Sequence, residues 1–447
     1  MKKTLLITFL FIAALAKGQE QDVKSYSFSL EQAIAHALAN NYSAINAQRD
    51  IEAAEQKKWE TTATGLPQIS AGVDYQNNFE LQKSLIPAEF FGGNPGEFAE
   101  VAFGTRHTMT ARATLSQKIF DGSYIVALQA SKTYLRYYQN YKKKNAAEIR
   151  EMVTNSYGNV LLAEESIAIL EKNKAALDKT LFDTNETFKN GLIEEENVEQ
   201  LKITLLTVNN NLSYTKRLRD ISHKMLKIDL GIDLQDELIL TDDLDGLSLS
   251  NMDLSFTGTE FNVNNNIDYL IVENLVDQRT LEVKLQKSYA LPSLSANLNA
   301  GYNGFGNEFN FFSSSQRWLD YSFLGVSLNI PIFSSFGRSA KTQQANIALE
   351  QANTQRTEVE QKLQLQYQNA KSDYEFSIEN YISNKENLAL AERIENKQQI
   401  KFTEGLSTSF DFTDAQRQLY TAQQNYLQSM VDVITKKAAL EKIISNN

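Results

Sequence analysis

"KFTEGLSTSFDFTDAQ", Lys401–Gln416, interrupts a region that otherwise has the composition of one long helix: from Ser334 onward there is no proline, and charged and amide side chains dominate. A related stretch, "FKNGLIEEENVEQ" (Phe188–Gln200), lies 214 residues earlier. Each carries a Phe-x-x-Gly-Leu break. A glycine at a helix end adopts the left-handed conformation at little cost, and an apolar residue after it covers the last turn. Glu194, Glu195 and Glu196 then suit the start of a returning helix, whose dipole favours anions. The two breaks read as the tips of two helical hairpins in a duplicated chain.

The rest of the sequence repeats in the same order. All five prolines fall in two zones, Pro67, Pro87 and Pro95, then Pro292 and Pro331. "GLPQISAGVDY" from Gly65 resembles "ALPSLSANLNAGY" from Ala290, and "LSQKIFDGS" from Leu115 resembles "LNIPIFSSFG" from Leu328. Phe120 to Phe188 spans 68 residues and Phe333 to Phe402 spans 69. Spacing kept over that length indicates internal duplication.

Each copy holds two stretches of period-two alternation, the pattern of strands with one apolar and one polar face. Ile69, Ala71, Val73, Tyr75 and Phe79 alternate with polar residues in the first. Met109, Ala111, Ala113, Leu115 and Ile119 do so in the second. The other copy repeats the pattern with Leu294, Ala296, Leu298, Ala300 and Tyr302, then Leu324, Val326, Leu328 and Ile330. Strands of about ten residues match tilted bilayer-crossing strands. Four cannot close a barrel, and an open edge in lipid strands backbone groups without partners. Copies of the chain must share one sheet: two would give eight strands and a filled lumen, three would give twelve and an open one. A soluble sheet packed on a core shows the same alternation. The long Phe-, Gly- and Asn-rich loops at 80–106 and 303–320 favour a barrel with an outside face.

Helical patterns begin at about Tyr124 and Arg338, and Tyr124–Phe188 as a helix would reach on the order of 100 Å. In the second copy the apolar stripe runs Val359, Leu363, Tyr367, Ala370, Tyr374, Ile378, Tyr381. It repeats every eleven residues, about 3.67 per turn, which keeps helices nearly straight where a strict heptad would wrap left-handed. Near the N-terminus Ser29 and Gln32 form a capping-box pattern before a helix that ends at Pro67. The expected organisation is a signal peptide over 1–18, with cleavage after Ala16 or Gly18, and a first repeat over 19–228. That repeat holds strands at 68–79 and 107–120 and a hairpin at 124–228. A mixed connecting element or flexible linker follows over 229–268. The second repeat, 269–447, holds strands at 293–302 and 322–331 and a hairpin at 337–445.

Bulk properties exclude much chemistry. The net charge of −11 shows no basic footprint for nucleic acid. With no cysteine there is no disulfide, thiolate nucleophile or zinc-thiolate site. His36, His107 and His223 lack ligand spacing, so no metal site is expected. There is no Gly-rich phosphate loop or Gly-x-Ser-x-Gly elbow either. Neither a cofactor nor catalysis is expected.

"SLEQAIAHALANN" near the N-terminus, the two "LP" strand entries, "IF" before each long helix and the two Phe-x-x-Gly-Leu tips together resemble TolC-like outer-membrane efflux proteins. The likeness covers nearly the whole mature chain. It implies an α+β membrane protein: a homotrimeric twelve-stranded β-barrel, four strands per chain, continuing into a long periplasmic α-helical barrel. Such proteins sit in the outer membrane and extend into the periplasm, as the exit duct of a tripartite efflux pump or type I secretion system. The implied partners are a periplasmic adaptor (membrane fusion) protein and an inner-membrane transporter. By the same resemblance, Asp411 and Asp414 ring the channel aperture together with Asn197. Gly191, Leu192, Gly405, Leu406 and Ser407 form the adaptor-contact tips. The family's charged tip latch, Tyr and Arg against Asp, maps onto Phe402, Ser407 and Asn197, which cannot form it. Asp411 and Asp414 are also what an ordinary solvated helix start contains. A secreted coiled-coil structural or adhesin protein would explain the helices and the signal, but not four strands of lipid-crossing length.

Overall fold

A computed structural model describes residues 24–253, 258 and 261–444; the signal segment 1–18 lies outside them. The elements run β1 (Ser25–Phe28), α1 (Leu30–Asn40), α2 (Tyr42–Ala63), β2 (Gln68–Asn77), β3 (Lys83–Pro87), β4 (Phe98–Ala102), β5 (His107–Phe120), α3 (Gly122–Lys189), α4 (Glu195–Leu230), β6 (Glu237–Leu240), α5 (Leu244–Ser250), α6 (Ile267–Ser288), β7 (Ser293–Gly306), β8 (Trp318–Asn329), α7 (Gly337–Thr403) and α8 (Ser409–Ile444). The chain forms two units, one of residues 51–138 and 272–356, the other of the remainder.

The smaller unit is built on an antiparallel sheet in the order β2-β5-β7-β8. Its registers place Ile69, Leu115, Leu298 and Leu324 side by side, one row of an apolar face that runs across all four strands. That face is uncovered: Ile69 is 76 % and Leu324 68 % exposed. The opposite face is tied by polar cross-strand pairs, Thr114 to Asn299 at 2.7 Å, Thr110 to Asn303 at 2.8 Å and Arg112 to Asp74 at 3.0 Å. β2 and β8 each have one edge with no partner strand among the described residues.

Strand boundaries differ from the sequence reading. β2 stops at Asn77, short of residue 79, while β7 runs past Tyr302 to Gly306. β8 occupies 318–329 and not 322–331, because Pro331 has no N–H to continue a ladder. The stretch 80–106 is not a plain loop: β3 and β4 form a hairpin within it. Below the sheet, Gln117 Nε2 donates to the Gly65 carbonyl at 2.9 Å. A side chain at position 65 would run into the Tyr124 ring.

The larger unit packs helices around Ile149, Val153, Tyr157, Leu226, Tyr374 and Val433, among others. Ser29 and Gln32 make the expected capping box. The helix they start does not run unbroken to Pro67; it is interrupted at Asn41, whose side chain accepts from Ser43 N at 2.8 Å and donates to the Asp229 carbonyl at 2.7 Å. The segment 229–268 contributes regular elements to this unit. β6 pairs in parallel with β1, α5 follows, and α6 begins at Ile267. Tyr157 Oη donates to the Phe28 carbonyl at 3.0 Å and stitches this small sheet to α3.

In α7 the apolar stripe is the buried one, with Leu363, Tyr374, Ile378 and Tyr381 all below one-tenth exposed. Its period changes at Tyr381. From there the covered positions run 381, 384, 388, 391, 395, 398 and 402, alternating steps of three and four. On α8 the matching positions are 409, 412, 416, 419, 423, 426 and 430. Both are seven-residue repeats, so toward the tip the second hairpin has the pattern of a left-handed coiled coil, where the eleven-residue step alone describes straight helices.

Candidate functional site

The two hairpin tips share one local construction. Gly191 has φ +74° and Gly405 φ +71°. Leu192 N donates to the Thr187 carbonyl (3.2 Å) and Gly191 N to Phe188 (2.8 Å). Leu406 N donates to Lys401 (2.7 Å) and Gly405 N to Phe402 (3.1 Å). Each is a Schellman motif closing a helix with its glycine in the left-handed region. Leu192 and Leu406 stand about three-quarters exposed beyond the turns. They present apolar surface to whatever lies outside the tip.

After the turns the copies diverge. Asn197 and Asp411 occupy equivalent positions, the third residue of α4 and of α8. In the second tip Thr408 and Asp411 form a reciprocal cap: Asp411 N donates to Thr408 Oγ1 at 3.1 Å, and Thr408 N to Asp411 Oδ2 at 3.2 Å. The Thr408 hydroxyl adds a 2.7 Å bond to that carboxylate. In the first tip Glu194 gives no side-chain cap, and Asn197 Nδ2 donates only to the Glu194 carbonyl at 3.3 Å.

Asp411 and Asp414 lie one turn apart and feel each other's charge. Bonds from Thr408 nevertheless hold Asp411 below the usual carboxylate range. Asp414 is held low by Arg417, with which it forms an ion pair, and by Gln418, whose Nε2 donates at 2.7 Å. Both acids are therefore ionised through mild acid. The paired-acid reading of the sequence overlooked Arg417, though an Asp and an Arg three residues apart on a helix are within reach of each other.

The structure brings some of the expected tip residues together and separates others. Leu192, Asn197, Phe402, Gly405 and Ser407 line one cleft of about 1010 Å³. Asp414 and Arg417 line a different groove, with Ile203, Thr207 and Tyr214 of α4 and Tyr420 of α8. Phe402 stacks on Phe412 with centroids 5.2 Å apart and planes 10° apart. Phe412 is fully buried among Leu170, Leu177 and Leu201. An aromatic contact joins the end of α7 to the start of α8. Ser407 Oγ is buried without a hydrogen-bond partner. Among the described residues no cluster of His, Asp or Glu has metal-ligand geometry, and no helix is long and apolar enough to cross a membrane.

Residues 264–446 match the family described as outer membrane efflux protein. The outer membrane protein TolC of Vibrio cholerae is 23 % identical over 346 residues, covering 75 % of this chain and 76 % of that protein. Among solved structures, CusC superposes with a TM-score of 0.74 at 15 % identity, covering 96 % of this chain and 95 % of that one. VceC of Vibrio cholerae gives 0.70 at 15 % identity, covering 93 % and 95 %. The open state of Neisseria gonorrhoeae MtrE gives 0.70 at 16 %, covering 93 % and 88 %. The fold, an α+β arrangement of a four-stranded sheet and long helices, is that of these channels.

Proposed function

We propose that this chain, whose second half matches the outer membrane efflux protein family, forms an outer-membrane exit duct for efflux, as a homotrimer whose sheets close one twelve-stranded barrel. The observation that carries the trimer is the sheet itself. It has four strands, two unpaired edges and an uncovered apolar face. In lipid those edges must pair, and β8 of one copy against β2 of the next satisfies both. Three copies give a strand number that leaves a lumen.

The helices support the same assembly. α4 carries an exposed apolar stripe, Ile203, Leu206, Tyr214, Leu218, Ile221 and Met225, at helical spacing. α7 carries another, including Leu365, Phe376, Leu390 and Ile394. Two such stripes on one chain provide self-complementary surface for neighbouring copies.

At the tips, Asp411, Asp414 and Asn197 border the aperture, and Gly191, Leu192, Gly405, Leu406 and Ser407 contact a periplasmic adaptor, which links the duct to an inner-membrane transporter. The exposed Leu192 and Leu406 support this docking role. The duct works by passing solute and performs no chemistry. The test is the protein mass of the detergent-extracted complex, followed by conductance in planar bilayers. A mass of three chains with stable conductance is expected; a detergent-free soluble monomer would overturn the reading.

A further inference from the structure

The two copies leave the sheet differently. In the first, Phe120 is followed by Asp121 and then Gly122, the first residue of α3. Asp121 Oδ1 accepts from Ser123 N at 2.9 Å and caps that helix. In the second, Ser334, Ser335 and Phe336 stand between Phe333 and Gly337, where the first copy has Asp121 alone. Gly337 N donates to the Ser334 carbonyl at 2.9 Å, and Ser335 and Phe336 have φ +48° and +63°. Two consecutive positive φ angles inside such a bond mark a type I′ turn, where Gly, Asn and Asp dominate. For a bulky residue that backbone is strained. Arg338 holds the turn, its Nη2 donating to the Pro331 carbonyl at 3.1 Å and its N to Ser334 Oγ at 3.4 Å. Strain kept at a surface turn directs attention to what the turn displays. Here it displays apolar surface. Ile332, Phe333 and Phe336 are 88 %, 75 % and 78 % exposed, and the two rings meet edge to face with centroids 6.1 Å apart.

Continuity and charge together indicate what covers that surface. Leu324, Val326, Leu328 and Ile330 form the exposed apolar row of β8, and Ile332 is the next position of the same parity. One turn into α7, Lys341 lines a cleft of about 470 Å³ with Gln344 and, from the end of α6 and just beyond it, Glu282, Gln286 and Tyr289. Glu282 is paired with Arg279 at 2.7 Å. Lys341, and Lys287 in the last turn of α6, enter no ion pair among the described residues. Apolar side chains beside unpaired lysines match the boundary between acyl chains and anionic headgroups.

We propose that this turn and the cleft beside it form a phospholipid site. Ile332, Phe333 and Phe336 enter the bilayer as a wedge at the acyl–headgroup boundary, and Lys341, with Lys287, binds the phosphate of an anionic phospholipid. The site rests on the duct reading, which puts the sheet in the outer membrane, the helices in the periplasm and this turn at the periplasmic leaflet. It occurs once per chain. The first copy keeps an Ile-Phe pair, Ile119 and Phe120 at 55 % and 42 % exposed, but has no counterpart of Phe336. Counted from the glycine that starts each helix, α3 has Val126 where α7 has Lys341.

The chain has no cysteine, so a single nitroxide can be attached at Phe336→Cys or at Val326→Cys. The full-length protein is placed in vesicles of phosphatidylcholine and phosphatidylglycerol. Collisions of each label with oxygen, which partitions into lipid, are compared with those with a water-soluble nickel chelate. The label at 336 should meet oxygen and be shielded from nickel, at a shallower depth than the label at 326. A 336 label open to nickel, or shielded from both reagents by a neighbouring copy, overturns the wedge, while a lipid-exposed 326 leaves the barrel standing. Nickel access at 326 would instead overturn the duct reading, and the 336 label would then decide the wedge alone. In the same vesicles, spin-labelled phosphatidylglycerol should be preferred at the site over spin-labelled phosphatidylcholine by about fivefold for each lysine engaged. Lys341→Gln should remove about that factor. Equal association of the two lipids, or a preference unchanged in Lys341→Gln combined with Lys287→Gln, overturns the headgroup site. A preference abolished by millimolar inorganic phosphate at constant ionic strength would show a free-anion site and overturn the lipid assignment.

Discussion

α4 and α8 are counterparts. Both have 36 residues, both start four residues after a left-handed glycine, and both end in register with the 214-residue offset. Yet α8 buries thirteen residues and α4 seven. Leu206, 64 % exposed, stands where α8 has the mostly covered Tyr420; Glu199 and Lys202 are exposed where Thr413 and Gln416 are buried. The duplicated helix has been used once as an internal element and once as a surface. Its exposed version is not polar, since it keeps an apolar stripe. That retained stripe is the apolar face that the proposed trimer would bury between copies.

The largest effect should come from breaking that surface. Leu206→Glu combined with Ile221→Glu should abolish the trimer and yield monomer in detergent, because each would place a carboxylate in an apolar interface. Sedimentation of the extracted protein measures this directly. A trimer that survives both changes would mean that α4 does not face a neighbouring copy. On the other helix the corresponding damage is internal. Leu427, 2 % exposed in the main core, should cost about 2–5 kcal/mol when changed to Ala, seen as a lower thermal midpoint.

Smaller effects belong to the tips, where the copies agree. At Gly191 and Gly405 nothing lies within 4 Å of where a Cβ would sit, so Ala is penalised only by the left-handed backbone. About 1–2 kcal/mol of local stability should be lost at each, with equal consequences in the two copies. Limited proteolysis at the tips would report it. Strong asymmetry between Gly191→Ala and Gly405→Ala would show that one tip is held by contacts beyond its own turn.

How much of this was legible depended on whether the pattern was local or distant. The sheet could be read because period-two alternation is written in each strand separately, and the tips because Gly-Leu after an aromatic residue encodes its own backbone geometry. β1 and β6 could not be read: each has four residues, too few for a period, and they pair across more than two hundred residues. The β3–β4 hairpin was hidden in a Gly- and Phe-rich stretch whose alternation is short. The break at Asn41 depends on the carbonyl of Asp229, far along the chain. At the tips the identity of the acids was visible, but what they bind was not.

The finest comparison is between Asp411 and Asp414 themselves. Both are ionised, but the first is bound to a neutral threonine and the second to a cation. If they ring a narrow aperture in three copies, Asp414 is largely offset by Arg417 and Asp411 supplies most of the net field. Changing both acids to Asn should weaken cation selectivity in planar bilayers, and Asp411→Asn alone should account for most of that loss. Arg417→Gln should act in the opposite direction, freeing Asp414 and raising cation preference, by a smaller factor because the exposed pair is already screened by solvent. Reversal potentials under a salt gradient measure all three. Equal effects of the two single Asp→Asn changes would mean that Arg417 points away from the permeation path. No effect of either would place the selectivity-determining constriction elsewhere in the duct.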